Sequence, residues 1–404
     1  MKLLRAAAFY LLVVLTVSRT SALDFQLSAE WAKAIPVFQA NVDKVGEHRY
    51  TNYREPVVVK TNSGKLIVGV HAGNRLSWPE RSGQDLAIRI SSDNGKSWSP
   101  ITIAAEHGNY SCQCHGLVYD SEKNRILFLY TVYNWDYREA GEGRGKEVTA
   151  PIYKNLTEKN IPLVNSFEVH SDDEGLTWSQ SRDITPNVGR QAHFGASEGR
   201  QLTVEGAYKG RLLLAGGRID LNEVGYITTK YPGVWHSDDH GESWTFAEIS
   251  VDPQVKSADI ASVEARVTEL TDGTLLYNQR TRKGRFLATS RDGGTTWTNT
   301  AHAPELLATQ CNGSLLTLRD AQGKLTNTVL HSIPSPGGRS NGVIYVSKDG
   351  GKNWPIAQNV VEGHFAYSAL IQVDAHAVGL IFETEHYEDI RFITLPIALL
   401  TYDY

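Results

Sequence analysis

The sequence predicts an all-β fold, a six-bladed β-propeller, and three observations carry that expectation. The 404 residues include 35 Gly, 14 Pro, 18 Tyr and 9 Trp but a single Met, a balance that suits sheets and tight turns better than packed helices. One short pattern, Ser-x-Asp-x-Gly-x-x-Trp, occurs five times, over residues 91–98, 171–178, 237–244, 290–297 and 347–354. Its aspartates, Asp93, Asp173, Asp239, Asp292 and Asp349, stand 80, 66, 53 and 57 residues apart, the period of a propeller blade with loop insertions. Finally, the copies follow alternating or β-rich runs, as at residues 85–90, 165–170, 286–289 and 343–346, which read as strands.

At the N-terminus, Lys2 and Arg5 precede an apolar stretch over residues 6–17, and Thr20, Ser21 and Ala22 supply small residues at cleavage spacing. Residues 1–22 therefore read as a secretory signal, with a secreted, extracellular or periplasmic product. The stretch is shorter than the roughly 20 residues of a membrane span, and no other segment reads as one. In each repeat the Asp and Ser oxygens can accept backbone N–H bonds, Gly can take positive φ, and Trp can fold back onto the hairpin. Dispersed single carboxylates of this kind hold turns rather than converge on an ion. After the fifth copy, residues 366–372, 377–382 and 390–395 supply three more strands, and a strand from the mature N-terminus would complete that last blade and close the ring. No Pro/Gly/Ser-rich linker interrupts the chain, so residues 23–404 read as one domain.

The net charge is -5, from 40 Lys and Arg against 45 Asp and Glu. With no run of like charge, neither nucleic acid nor an acidic membrane surface finds an electrostatic handle, and a small or neutral ligand fits better. Cys112 and Cys114 are too close in sequence to bridge each other well; one could pair with Cys311, or all three could be free thiols. Asn109, Asn155 and Asn312 open glycosylation-type triplets.

The residues between the repeats carry the chemistry. Tyr53-Arg54-Glu55-Pro56 opens the first blade, Glu264 is followed sixteen residues later by Arg280, and Arg339 precedes the strand into the fifth repeat. Tyr367 lies in Ala366-Tyr-Ser-Ala-Leu, Cys311 in Gln310-Cys-Asn-Gly-Ser, and Glu383 in the last blade. In this order the set resembles the exo-α-sialidases (neuraminidases) of the Asp-box, or BNR-repeat, superfamily, from about Tyr53 to the C-terminus. The resemblance implies that Arg54, Arg280 and Arg339 bind a substrate carboxylate, that Glu383 braces Arg54, and that Tyr367 is a nucleophile with Glu264 as its base. In the family an aspartate before the first repeat supplies the acid; here the matching position holds Glu80, with Asp85 as the alternative. Glu55 stands where the family has an apolar residue.

These residue types suit the implied reaction. A sialic acid carries a carboxylate on its anomeric carbon, which guanidinium forks hold directionally. A carboxylate nucleophile would meet like charge there, whereas tyrosine is neutral at rest and can pass its proton to a glutamate during attack. His71, His107, His115 and His364 show no ligand spacing, and no Gly-x-Ser-x-Gly elbow occurs, so neither metal nor cofactor is implied. The expected partners are sialylated glycans on glycoproteins, glycolipids or oligosaccharides. Two other readings stand beside this one: a catalytically silent propeller that binds acidic sugars, motivated by Glu55 and Glu80, and a sialidase-like transferase or lyase.

Overall fold

A computed structural model of the chain describes residues 33–46, 48–73, 83–108, 110–133, 164–189, 192–221, 227–251, 262–307 and 310–402. Residues 1–22, Glu80, Asn109 and Asn155 lie outside them. Among the described residues almost every element is a strand, and consecutive strands pair antiparallel. No described helix is long and apolar enough to cross a membrane.

The sheets form a propeller-like arrangement, though not six equal, separate blades. Four sheets stand apart. One pairs Leu212–Leu221, Ile227–Ser237 and Thr245–Glu248, with short pieces at its rim. A second runs Ala265–Glu269, Leu275–Thr281, Gly284–Ser290, Ala301–Ala303, and a third Ser314–Arg319, Leu325–Pro334, Ser340–Ser347, Ile356–His364. The fourth joins Ser368–Gln372, Ala377–Thr384 and Asp389–Pro396 to the early strand Ile35–Gln39, with Ile35 opposite Phe392. A nine-stranded sheet holds the rest, apart from the two-stranded pair Lys44–Val45 and His48–Arg49. It contains two antiparallel meanders, Asn52–Lys60 to Thr102–Ala105 and Ser111–Asp120 to Arg182–Asp183, fused by one parallel pairing of Gln84 with Ser111. Side chains reinforce the join: the Ser111 hydroxyl and the Gln113 amide both donate to Gln84 Oε1, at 2.8 and 2.9 Å.

The ring closes through its packing. The apolar core is a series of layers, each shared by neighbouring sheets; one unites Phe38, Ile381 and Phe392 of the last sheet with Val58, Val68 and Ala87 of the first meander. Burying each such side chain contributes about 1.5–3 kcal/mol, so the chain ends are held by the same force as its middle.

The five repeats are turns of one design. In each, the Gly N–H donates to the Ser hydroxyl at 2.8–2.9 Å, and the N–H four residues beyond the Asp donates to its carboxylate at 2.8–3.0 Å. The glycine is required twice over. Gly95 has φ +83°, and a Cβ there would stand 2.1 Å from Phe392 of the neighbouring sheet; Gly241 and Gly351 meet Leu127 and Leu276 in the same way. These three turns therefore serve both their own hairpin and a neighbouring sheet. Trp178 and Trp297 fold back as expected, donating to the carbonyls of Gly175 and Gly294.

Two sequence-level possibilities are corrected. Cys112, Cys114 and Cys311 are all free thiols. Asn312 is fully buried, its amide donating to the Gly195 carbonyl at 2.9 Å, so a glycan cannot reach it.

Candidate active site

Six of the residues singled out in the sequence meet at one place, although they come from four sheets. Tyr367, just before Ser368–Gln372, is 4% exposed. Three guanidiniums surround its ring, with Cζ of Arg54, Arg280 and Arg339 at 5.6, 6.0 and 5.2 Å from the centroid. The phenol donates to Glu264 Oε1 at 2.7 Å, and Arg280 Nη1 donates both to Glu264 Oε2 at 2.6 Å and to the phenol oxygen at 2.8 Å. Tyr, Glu and Arg thus form a closed triangle in which the phenol both gives and receives a hydrogen bond.

Local backbone fixes that triangle. Glu264 lies one residue before Ala265–Glu269, and its carbonyl accepts from the Arg280 N–H at 3.1 Å. The sixteen-residue spacing is therefore one hairpin, which returns Arg280 on Leu275–Thr281 to the side of Glu264. Glu383, on Ala377–Thr384, exchanges backbone hydrogen bonds with Tyr367 and Ala366. Its carboxylate is fully buried and is held three ways, by Arg54 Nε at 2.7 Å, the Glu55 N–H at 2.8 Å and the Tyr367 N–H at 3.1 Å. One carboxylate thus ties the arginine of the first meander to the tyrosine of the last sheet.

The charges set the resting protonation state. Burial, reinforced by the negative charge of Glu264, pushes the Tyr367 phenol well above its ordinary value. Burial also opposes ionisation of Glu264, but the Arg280 charge and the hydrogen bonds from Tyr367 and Arg280 outweigh it and hold this carboxyl below its usual range. At rest the pair is neutral phenol and carboxylate, and full transfer of the proton is uphill. Burial pushes the neighbouring Cys311 thiol up to about 12, so it is an inert wall rather than a nucleophile.

Asp85 faces a different neighbour: it accepts from the Tyr50 hydroxyl at 2.6 Å. Glu80 lies outside the described residues. One member of the cluster was not foreseen. Tyr387 lies under Arg54, whose Cζ is 4.3 Å from its ring centroid, and its hydroxyl accepts from Arg339 Nη1 at 3.2 Å. It is placed by a tight turn in which His386 and Tyr387 both take positive φ, 55° and 76°. No glycine or asparagine marks that turn in the sequence, and Tyr387 is a residue that rarely enters this region.

The arrangement presents fixed donors to an anion beside a phenol with a carboxylate partner. Comparison with known proteins bears on the family of the chain. The family model described as a BNR repeat-like domain matches residues 84–380. The chain is 29% identical over 354 residues to a sialidase of Micromonospora viridifaciens, covering 84% of this chain and 50% of that protein. It is 26% identical over 332 residues to an anhydrosialidase of Macrobdella decora, covering 72% of this chain and 42% of that one. The chain spans about half the length of these curated relatives. Among solved structures, the Hadza microbial sialidase Hz136 superposes with a TM-score of 0.66 at 26% identity, covering 87% of this chain and 67% of its own. Sequence, fold and relatives agree, and the chain belongs to the sialidase/BNR-repeat family.

Proposed function

We propose that the chain is a secreted, retaining exo-α-sialidase that hydrolyses terminal sialic acid from glycoconjugates. The observation that carries this reading is the Tyr367–Glu264–Arg280 triangle with Arg54 and Arg339 around it. The three guanidiniums hold the substrate carboxylate and so fix the anomeric carbon over Tyr367. The phenol oxygen attacks that carbon and forms the covalent glycosyl–enzyme bond, while its proton passes to Glu264. The leaving oxygen takes a proton from Glu80. Water, deprotonated by the same group, then attacks the anomeric carbon, the phenol leaves and recovers its proton from Glu264, and the configuration is retained.

The resting electrostatics fit that sequence. An anion bound to the arginines offsets the charge of Arg280 that holds Glu264 down, so substrate binding raises the basicity of Glu264 when a base is needed. Glu80 is preferred to Asp85 as the acid because the Asp85 carboxylate already accepts from Tyr50. Replacing each in turn tests this: Glu80→Gln should slow a natural sialoside much more than one with an activated leaving group, and Asp85→Asn should not discriminate. The reverse pattern would reassign the acid.

A second reading, transfer within the substrate, is favoured by one observation, the match to the Macrobdella decora anhydrosialidase. Turnover of sialyllactose in ¹⁸O-water separates the two. Hydrolysis releases free sialic acid carrying one ¹⁸O, whereas internal transfer releases an unlabelled sugar lighter by one water. Binding of sialyllactose with neither product would establish a silent lectin-like propeller instead.

A further inference from the structure

Beside the arginine cluster lies a group of side chains that the reaction does not use. We infer that Glu55, His71 and His115 form a binding site for a divalent transition-metal ion of zinc's class. One ligand atom from each of the three lies within 4.8 Å of the other two. Tetrahedral zinc holds such donors at about 2.0–2.2 Å, which places them about 3.4 Å apart. Three protein ligands are the number that zinc sites with one open position use.

The two imidazoles are the stronger half of the argument. His71 is 1% exposed, and neither of its ring nitrogens has a hydrogen-bond partner among the described residues. Burying both polar atoms of a ring unsatisfied is costly, and such a group calls for an explanation. His115 is fully buried; its Nε2 lies 2.8 Å from the Glu55 carbonyl oxygen, and its Nδ1 has no partner among the described residues. An Nε2–H donated to that carbonyl leaves Nδ1 with a lone pair, the arrangement by which an outer hydrogen bond fixes the tautomer of a metal-ligating histidine. The rings stand edge to face with centroids 5.6 Å apart, so the lone pairs of both can converge without stacking.

The backbone independently turns Glu55 out of the regular ladder. It has φ +57°, in the left-handed region that a glutamate rarely enters, and pairing with the next strand shifts register between Arg54 and Val57. His71 lies directly across from Arg54 in that pairing. His115 sits in a second bulge, between Gln113 and Gly116, next to Cys114 at φ +51°. Two strained bulges therefore face each other, with the carboxylate on one and an imidazole on the other; strain of this kind persists where the surroundings require it. Arg54 is already paired with Glu383, so its charge does not stand uncompensated beside a cation. An ion here would pin the Arg54–Glu55 bulge to two neighbouring strands and make all three ligands positioning residues for Arg54.

The test uses the full chain, stripped with a chelator and dialysed against zinc, with bound metal measured by mass spectrometry and affinity by calorimetry. The account expects one zinc per chain, a rise in melting temperature on loading, and for the cobalt(II) form the intense visible bands of a tetrahedral site. Glu55→Gln, which keeps the side chain's length and removes its charge, is expected to lose the melting shift and to bind zinc more weakly by more than the roughly 10–100-fold that loss of an outer-shell partner costs. His71→Gln serves as a second variant. Failure of the wild type to retain zinc would overturn the proposal. So would retention of the same affinity and cobalt spectrum by Glu55→Gln, which would place the ion elsewhere on the surface.

Discussion

The repeat turns and the central cluster both hold carboxylates, and they hold them in opposite ways. In a turn, one aspartate is fastened by groups within four residues of it, partly in solvent: Asp173 accepts from Ser171, from the Thr177 N–H and from the Thr177 hydroxyl. In the cluster, Glu264 and Glu383 are fastened by partners up to 329 residues away, out of water. The turns can form as each hairpin forms. The cluster exists only when the ring has closed, so its charges report on the whole fold.

Several measurements would break or sharpen that contrast. The largest effect is expected at Glu264: Glu264→Gln keeps the shape but removes the base, and kcat for a sialoside should fall by about 10²–10⁴-fold. A variant that keeps the parental rate would remove Glu264 from the chemistry. Glu383→Ala comes next, because it leaves Arg54 buried without its counter-charge at 3% side-chain exposure. Urea unfolding should show a loss of about 3–5 kcal/mol, and a loss below 1 kcal/mol would mean that the ring does not depend on this tie. Asp173→Ala should cost only about 1 kcal/mol by the same measurement and leave kcat unchanged, since the other turns are independent of it.

The smallest effects are in pH. Hydrogen bonds from the Ser97 hydroxyl and N–H draw Asp93 down to about 2 from 3.8. A lowered carboxylate stabilises the fold above its unfolded value and loses that contribution as pH falls through its folded value. The advantage of the wild type over Asp93→Asn should therefore be complete above pH 3.8 and fade toward pH 2. Glu264 is also lowered, so its share of the acid limb of kcat/KM should lie below pH 4.5. A limb near pH 6 that moves in Glu264→Asp would contradict the described electrostatics.

What the sequence disclosed follows the same division. The turns were legible because every atom that makes them, from Ser91 to Trp98, lies in eight residues. The Glu264–Arg280 pair was picked out through resemblance to a family, and its sixteen-residue spacing turns out to be a single hairpin. Arg54, Arg339, Tyr367 and Glu383 could be picked out only through resemblance to a family, since no local pattern distinguishes them from solvated residues. The fusion of two meanders at Gln84 and Ser111 was missed, and separate blades were expected, because a single parallel contact leaves no periodic trace. Glu55, His71 and His115 escaped for a related reason: their spacings of 16 and 44 residues fit neither helix nor strand, and bulges, rather than repeats, bring them together.

The proposed reaction turns on a bond between the Tyr367 phenol and the sugar. The direct measurement is release of sialic acid from sialyllactose by the wild type and by Tyr367→Phe, two proteins differing by one oxygen, with matched melting temperatures. The account predicts steady turnover by the wild type and, for the variant, a rate lower by at least about 10³-fold. Turnover by Tyr367→Phe at the parental rate would contradict it.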